Sequence, residues 1–316
     1  MDILDQAKAL VGNPGIDWSE MVRNMNKRRR RTIHLGKYDK VSDTYGDEVH
    51  IRELPIIQAG LGCSIWDSAI ILSRAFYKMA EEERNPLCQT AFALELGAGA
   101  ALPSIVLGRY CQEMWMTEYV SKLIDNMRYN VQCNCDRDLD WEVSDETEKQ
   151  RRHERRFQLS RSARYAELDF HDIGEFQRQP ETDVIESGRH RMDVLFGTGL
   201  IYVENEGHIR AILEVVDHYL STETGVFYVC QSTDRAGMPR FMELAAERGF
   251  LVDRTPCADC FLGNYQHVGT FEQRHEQVQL PDTGVRSARN HGSIAVVACS
   301  IVFGRSGAQH HRGPSW

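Results

Sequence analysis

Between residues 90 and 135 the sequence alternates twice between an apolar run and an amphipathic one, and this order constrains the fold more than any other feature. TAFALELGAG is a buried strand, LPSIVLGRYC a helix, EMWMTEY a second strand and VSKLIDNMRYNVQCN an amphipathic helix. Strands separated by helices cannot close a hairpin, so they pair in parallel through crossovers.

The alternation extends in both directions. Upstream, SIWDSAIILSRAFYKMAEEE carries Ile65, Ala69, Ile70, Leu72, Ala75 and Phe76 at spacings of three and four, one stripe of a helix that Asn85-Pro86 ends. Downstream, RYAELDF, MDVLFGTGLIY, GVFYVCQS, FLVDRTP and SIAVVACSIVFG read as strands. EGHIRAILEVVDHYL, with Ile209, Ile212, Leu213, Val216 and Leu220 in register, and PRFMELAAERGF, stopping at Gly249, read as helices. The expected class is α/β: a doubly wound, mostly parallel seven-stranded sheet. A long hairpin-like connection around residues 257–292 predicts that the last strand runs antiparallel.

The remaining segments flank this unit. Residues 1–60 form a polar extension containing Trp18, the edge-strand candidate DEVHIREL and the run Lys27-Arg28-Arg29-Arg30-Arg31 after a short helix, DWSEMVRNMNK. Residues 61–304 hold the α/β domain, broken by a charged insertion at about 135–164 that is nearly free of aliphatics, and 305–316 is a tail without core signal. The basic run reads as a solvated segment, a nuclear address, an RNA phosphate contact or a docking site for an acidic protein.

Composition narrows the function. With 316 residues and 42% apolar content the chain buries one large core or two smaller ones. A net charge of −9 argues against general nucleic-acid binding, leaving nucleic acid only through Arg28–Arg31. No apolar run approaches the roughly twenty residues needed to span a bilayer, and the acidic start lacks a signal-like pattern, so a cytoplasmic protein is expected, nuclear if the basic run is an address. Nine cysteines, an odd number, suggest reduced thiols. Of the close pairs, Cys133/Cys135 and Cys257/Cys260, only the second has the usual zinc spacer, and no metal is expected.

The stretch ALELGAGAALPS places an acid, Glu95, before Gly97 and Gly99 at the end of the first strand of the parallel set. Glycines there let backbone approach a ligand, but Leu102 stands where a dinucleotide fingerprint needs its third glycine. An acid beside the loop suits a ligand carrying a positive charge rather than a pyrophosphate. Glu118 ends the next strand, placed to accept hydrogen bonds from two ribose hydroxyls, and Asp169 with Phe170 could bond an adenine amine and stack on its face.

Taken together, SIWDSAIILSRAF, ALELGAGAALPSIVLG, MTEY, LIDNMRYNVQCN, AELDF and LFGTGLIY resemble the blocks of the seven-β-strand S-adenosylmethionine-dependent methyltransferases, and more narrowly of methyltransferase family 16, the protein lysine and nicotinamide N-methyltransferase-like group. The resemblance implies a Rossmann-like methyltransferase fold from about Gly60 to Gly304 and S-adenosyl-L-methionine as cofactor. It implies that Glu95, Gly97 and Gly99 line the methionine part, Glu118 holds the ribose, Asp169 and Phe170 meet the adenine, Trp66 closes the pocket and Tyr202 shapes the substrate entrance. It implies a protein substrate, with lysine as acceptor. Two positions depart from the family pattern. Ala101 stands where a glycine is usual, and Gly199 stands where an acid begins the acid-x-x-aromatic motif that ends here at Tyr202. Glu204 and Glu206 could replace that acid. The alternative is a catalytically inactive methyltransferase-like factor serving binding or assembly in a larger complex, including a ribonucleoprotein.

Overall fold

The computed structural model describes residues 29–39, 44–81, 91–135, 146–179, 182, 191–202, 204–222, 224–232, 235–256 and 293–299. Trp18, the helix expected at 17–27, Lys27, Arg28, Asn85-Pro86, Cys257/Cys260, the connection 257–292 and the tail lie outside them.

Helices and strands alternate as anticipated. Helix α1 (Asp67–Glu81) leads to β3 (Phe92–Glu95), α2 (Leu102–Leu107), β4 (Glu113–Glu118) and α3 (Ser121–Cys135). The charged insertion supplies α4 (Glu146–Ser162), which runs directly into β5 (Ala163–Glu167). Then follow β6 (Val194–Thr198), α5 (Glu206–Tyr219), β7 (Val226–Ser232), α6 (Gly237–Glu247), β8 (Leu251–Pro256) and β9 (Ser293–Cys299). The seven strands from β3 onward form one sheet in the order β5-β4-β3-β6-β7-β9-β8. Chain order reverses at β3, flanked by β4 and β6, so the loop after β3 opens at the switch point where such sheets bind ligands.

One expectation is overturned. β9 runs parallel to both neighbours, Val226 to Ser232 pairing with Ser293 to Cys299 and Leu251 to Pro256 with Ser293 to Ala298. A parallel pair needs a crossover of a dozen residues or more, and the connection from 257 to 292 is long enough to supply one. Its length alone therefore could not indicate a hairpin.

The strands explain the core. Side chains alternate between two faces, so Ala93, Met114, Met116 and Phe196 join one cluster with Ile70, Phe76, Ile105 and Met127, while Leu94, Trp115, Leu195 and Phe227 join another with Ile212, Val216 and Phe241. Helices cover both faces, and this is why the strands read as apolar runs instead of alternating ones.

The extension is not the polar preface expected. β1 (Arg29–Asp39) pairs antiparallel with β2 (Thr44–Glu53), and Ile33, Leu35, Val49 and Ile51 enter the first core cluster, so packing continues across residue 60. Part of the basic run is therefore strand. Arg31 bonds Glu53 at 3.3 Å and the Ile65 carbonyl at 3.4 Å, and Arg30 reaches the Tyr129 hydroxyl at 3.3 Å. Buried Arg109 pairs with Asp47 at 2.5 Å, fastening the hairpin beyond α2.

The free edge of β2 is closed by side chains. Asn126, Asn130 and Asn134 recur every fourth residue on α3, forming one buried polar stripe. Asn130 accepts from the Arg52 N–H at 2.8 Å and donates to the Arg52 carbonyl at 3.2 Å; Asn134 repeats this at His50, at 3.0 and 2.8 Å. Each amide satisfies backbone groups a neighbouring strand would otherwise take. Asn130 also donates to the Ala100 carbonyl at 3.1 Å, tying hairpin, helix and glycine loop together.

Candidate active site

Glu95, at the end of β3, is fully buried. Ser104, in the first turn of α2, donates to it through hydroxyl and backbone N–H, while Oε1 has no partner. Burial pushes this carboxyl up to about 8, against the Ser104 bonds and helped by the Glu118 charge, so it is largely protonated at neutral pH. Glu95 stands beneath the loop. Its unpaired oxygen is a buried polar group whose satisfaction is worth about 1–3 kcal/mol, a natural seat for a donor from a bound molecule.

The loop itself turns on three left-handed residues: Gly97 at φ 61°, Gly99 at φ 54° and Ala101 at φ 63°. A Cβ on Gly99 would lie 2.7 Å from the Gly62 carbonyl oxygen, so two backbones meet with no space for a side chain. On Gly97 it would meet Leu200 Cδ2 at 3.2 Å and Phe170 Cζ at 3.8 Å. Ala101 is fully buried in the core cluster, so its methyl faces the protein interior. The departure from glycine thus costs backbone strain, not crowding of a ligand.

Glu118 closes the other side. Its Oε2 accepts from Gly99 N–H at 3.2 Å and its Oε1 from Tyr119 N–H at 2.9 Å, with Val120 adding a third backbone bond. Burial raises this carboxyl while those three N–H groups oppose the rise. The two oxygens retain lone pairs for a vicinal diol. Tyr119, 66% exposed beside it, feels the charges of Glu118, Tyr202 and Asp169, which places all four in one neighbourhood.

Past β5, Asp169 is exposed and its Oδ1 accepts from the His171 N–H at 2.9 Å. Phe170 is half-buried against the second core cluster, its ring facing Gly97. Past β6, the strand stops at Thr198 and the expected continuation through Tyr202 is a loop. Gln231 clamps it, accepting from the Ile201 N–H at 2.9 Å and donating to the Ile201 carbonyl. Gly199 has φ 65°, open space where a Cβ would stand, and an N–H bonded to the Cys230 carbonyl at 3.2 Å. Tyr202 is 42% exposed, and burial together with the Glu118 charge raises its hydroxyl pKa. Glu206, one candidate replacement for the acid, is exposed and held by Arg210 at 2.5 Å and Arg240 at 3.0 Å, which lower its pKa and commit it elsewhere. Glu204 is exposed.

Trp66 lies at the entry of α1, where its carbonyl accepts the first helical N–H groups, from Ala69 at 3.0 Å and Ile70 at 3.3 Å. Its indole N–H donates to the Leu61 carbonyl at 3.1 Å and so braces the turn that presses Gly62 on Gly99. The structure thus brings Gly97 against Phe170, Gly99 against Gly62 and Glu118, and Tyr202 into the neighbourhood of Glu118, with Trp66 bracing the turn that carries Gly62. Periodicity gave no sign of Gly62, Gln231, His171 or His208, because each acts by a contact made across the fold.

Residues 46–153 match the family model described as lysine methyltransferase, methyltransferase family 16. The match spans about a third of the chain, and over that stretch the chain is similar to methyltransferase family 16. The match runs from β2 into α4 and so includes Trp66, the glycine loop and Glu118, whereas Asp169, Phe170 and Tyr202 lie beyond it. A match to a methyltransferase domain implies use of S-adenosylmethionine in general. No curated protein matches the chain.

Proposed function

We propose that the protein transfers a methyl group from S-adenosyl-L-methionine to a protein side-chain amine, that of lysine. The carrying observation is Glu118, buried at the end of β4 with both oxygens aimed by backbone N–H groups across a loop that only glycine can form at Gly99. A fixed carboxylate at this strand end suits a ribose diol. The unpaired Glu95 oxygen suits a hydrogen-bond donor of the bound molecule, and the Phe170 ring beside Gly97 suits an adenine face.

When bound, S-adenosylmethionine supplies an electrophilic methyl on a sulfonium. The protein's task is position and proton. Gly97 and Gly99 let the backbone lie against the cofactor, Glu118 fixes its ribose, and Tyr202 borders the side on which an amine would enter. An amine attacks only through its lone pair, so one proton must leave the acceptor for each methyl transferred. A second reading, a cofactor-binding factor without catalysis, is favoured by Gly199 alone, since no acid stands at that position.

Calorimetric titration with S-adenosylmethionine and S-adenosylhomocysteine tests the proposal. Micromolar binding of both is expected, weakened at least tenfold in Glu118→Ala with an unchanged circular dichroism spectrum. Absence of binding in the native protein would remove the methyltransferase reading; equal affinity in the variant would remove Glu118 from it. Binding without methyl transfer to any protein of a cell extract would select the second reading.

A further inference from the structure

We propose that His208, backed by His171, accepts the proton that the acceptor amine gives up, standing in for the acid missing at Gly199; the inference rests on the methyltransferase reading above. His208 lies in the first turn of α5, its backbone N–H capped by the Asn205 side chain at 3.2 Å. Its ring turns back onto the loop after β6. Nε2 lies 3.3 Å from the Leu200 carbonyl oxygen, and the Tyr202 ring centroid is 5.4 Å away. The imidazole thus borders the same four-residue segment, Gly199 to Tyr202, in which the family's acid and aromatic stand.

The hydrogen bonds fix which nitrogen is basic. A carbonyl only accepts, so Nε2 carries the hydrogen, and the lone pair is on Nδ1, which lies 3.4 Å from His171 Nε2. The groups facing it are Asp169 and His171 from the turn after β5 and Tyr202 and the Leu200 carbonyl from the loop after β6. Burial and His171 lower the His208 pKa against the Leu200 carbonyl and Asp169, so the ring is neutral at pH 7. Its place at a helix N-terminus also disfavours the cation. His171, by contrast, is exposed and opens the pair to solvent.

The proton count closes. An ammonium on the acceptor delivers one proton to His171 Nδ1. The hydrogen on His171 Nε2 moves to His208 Nδ1, leaving imidazolium on His208 with bonds to Leu200 and His171. The freed amine lone pair forms the N–C bond while the methyl carbon leaves sulfur, which keeps the bonding pair as a neutral thioether. Reversal of the relay returns the proton to water through His171.

The test compares the native protein with His208→Gln, whose amide can still donate to the Leu200 carbonyl. S-adenosylhomocysteine affinity is measured by calorimetry, and labelled methyl transfer from S-adenosylmethionine to cell-extract proteins is followed from pH 5 to 8.5. Expected are affinities within about twofold, a rate lower by about a hundredfold or more in the variant, and loss of the acid limb of the native pH profile. Nitrogen-15 imidazole spectra should show His208 as the Nε2–H tautomer, titrating below the usual histidine range and perturbed in His171→Ala. A variant with the native rate and the native acid limb overturns the proposal while leaving the methyltransferase reading intact. A native protein that binds S-adenosylhomocysteine yet labels no protein overturns the proposal too, and one that binds neither ligand overturns the reading beneath it.

Discussion

Ala101 shows how a single residue balances opposing costs. At φ 63° its Cβ crowds the following carbonyl, a penalty of about 1–2 kcal/mol, yet its methyl is fully buried, worth about 0.8 kcal/mol. Glycine would relieve the first, forfeit the second and lose about 0.5–1 kcal/mol more in chain entropy. Ala101→Gly should therefore leave stability within about 1 kcal/mol of native, whereas Ala101→Val, β-branched in the same conformation, should cost about 2 kcal/mol or more. Urea unfolding of both variants checks this, and an equally stable valine variant would refute the left-handed geometry. The glycine-to-alanine departure was visible in sequence. The direction of its methyl was not, since that depends on which side of the loop the core occupies.

At the scale of elements, the asparagine stripe of α3 couples the hairpin to the site. Asn130→Ala strips partners from the Arg52 backbone and from the Ala100 carbonyl, and buried groups left unpaired cost about 1–3 kcal/mol each. The variant should lose roughly 2–4 kcal/mol on urea unfolding and should also bind S-adenosylhomocysteine more weakly. Asn134→Ala, which frees only His50 and the Asn130 carbonyl, should destabilise without that loss of affinity. Equal affinities in the two variants would separate the stripe from the loop. The repeat Asn-x-x-x-Asn was legible as a helix face, but its partner, the open edge of β2, depends on a hairpin the local pattern did not announce. Arg29 to Arg31 read as solvated charge because five cations in a row mask the Thr32–Leu35 alternation that follows them.

For the molecule as a whole, Glu95 makes stability depend on pH. Its folded value near 8 stands above the ordinary 4.5, so between these limits the folded state holds a proton the unfolded chain has released. Its contribution therefore falls as pH rises from about 4.5 to about 8 and is constant beyond. Glu95→Gln, which keeps an acceptor for Ser104 and removes the titration, should match the native protein at pH 5 and exceed its melting temperature at pH 8. Parallel profiles across that range would show Glu95 to be ionised in the fold.

The sequence by itself determined the class of fold, the order of alternating strands and helices, the glycine loop and the acids at the strand ends, because period and turn chemistry are local and repeat within a few residues. Only the tertiary structure decided the direction of β9, the pairing of β1 with β2, the burial of Glu95 away from solvent and the meeting of His171 with His208 beside Tyr202. Those depend on how distant segments approach one another, and no spacing along the chain encodes a distance across a sheet.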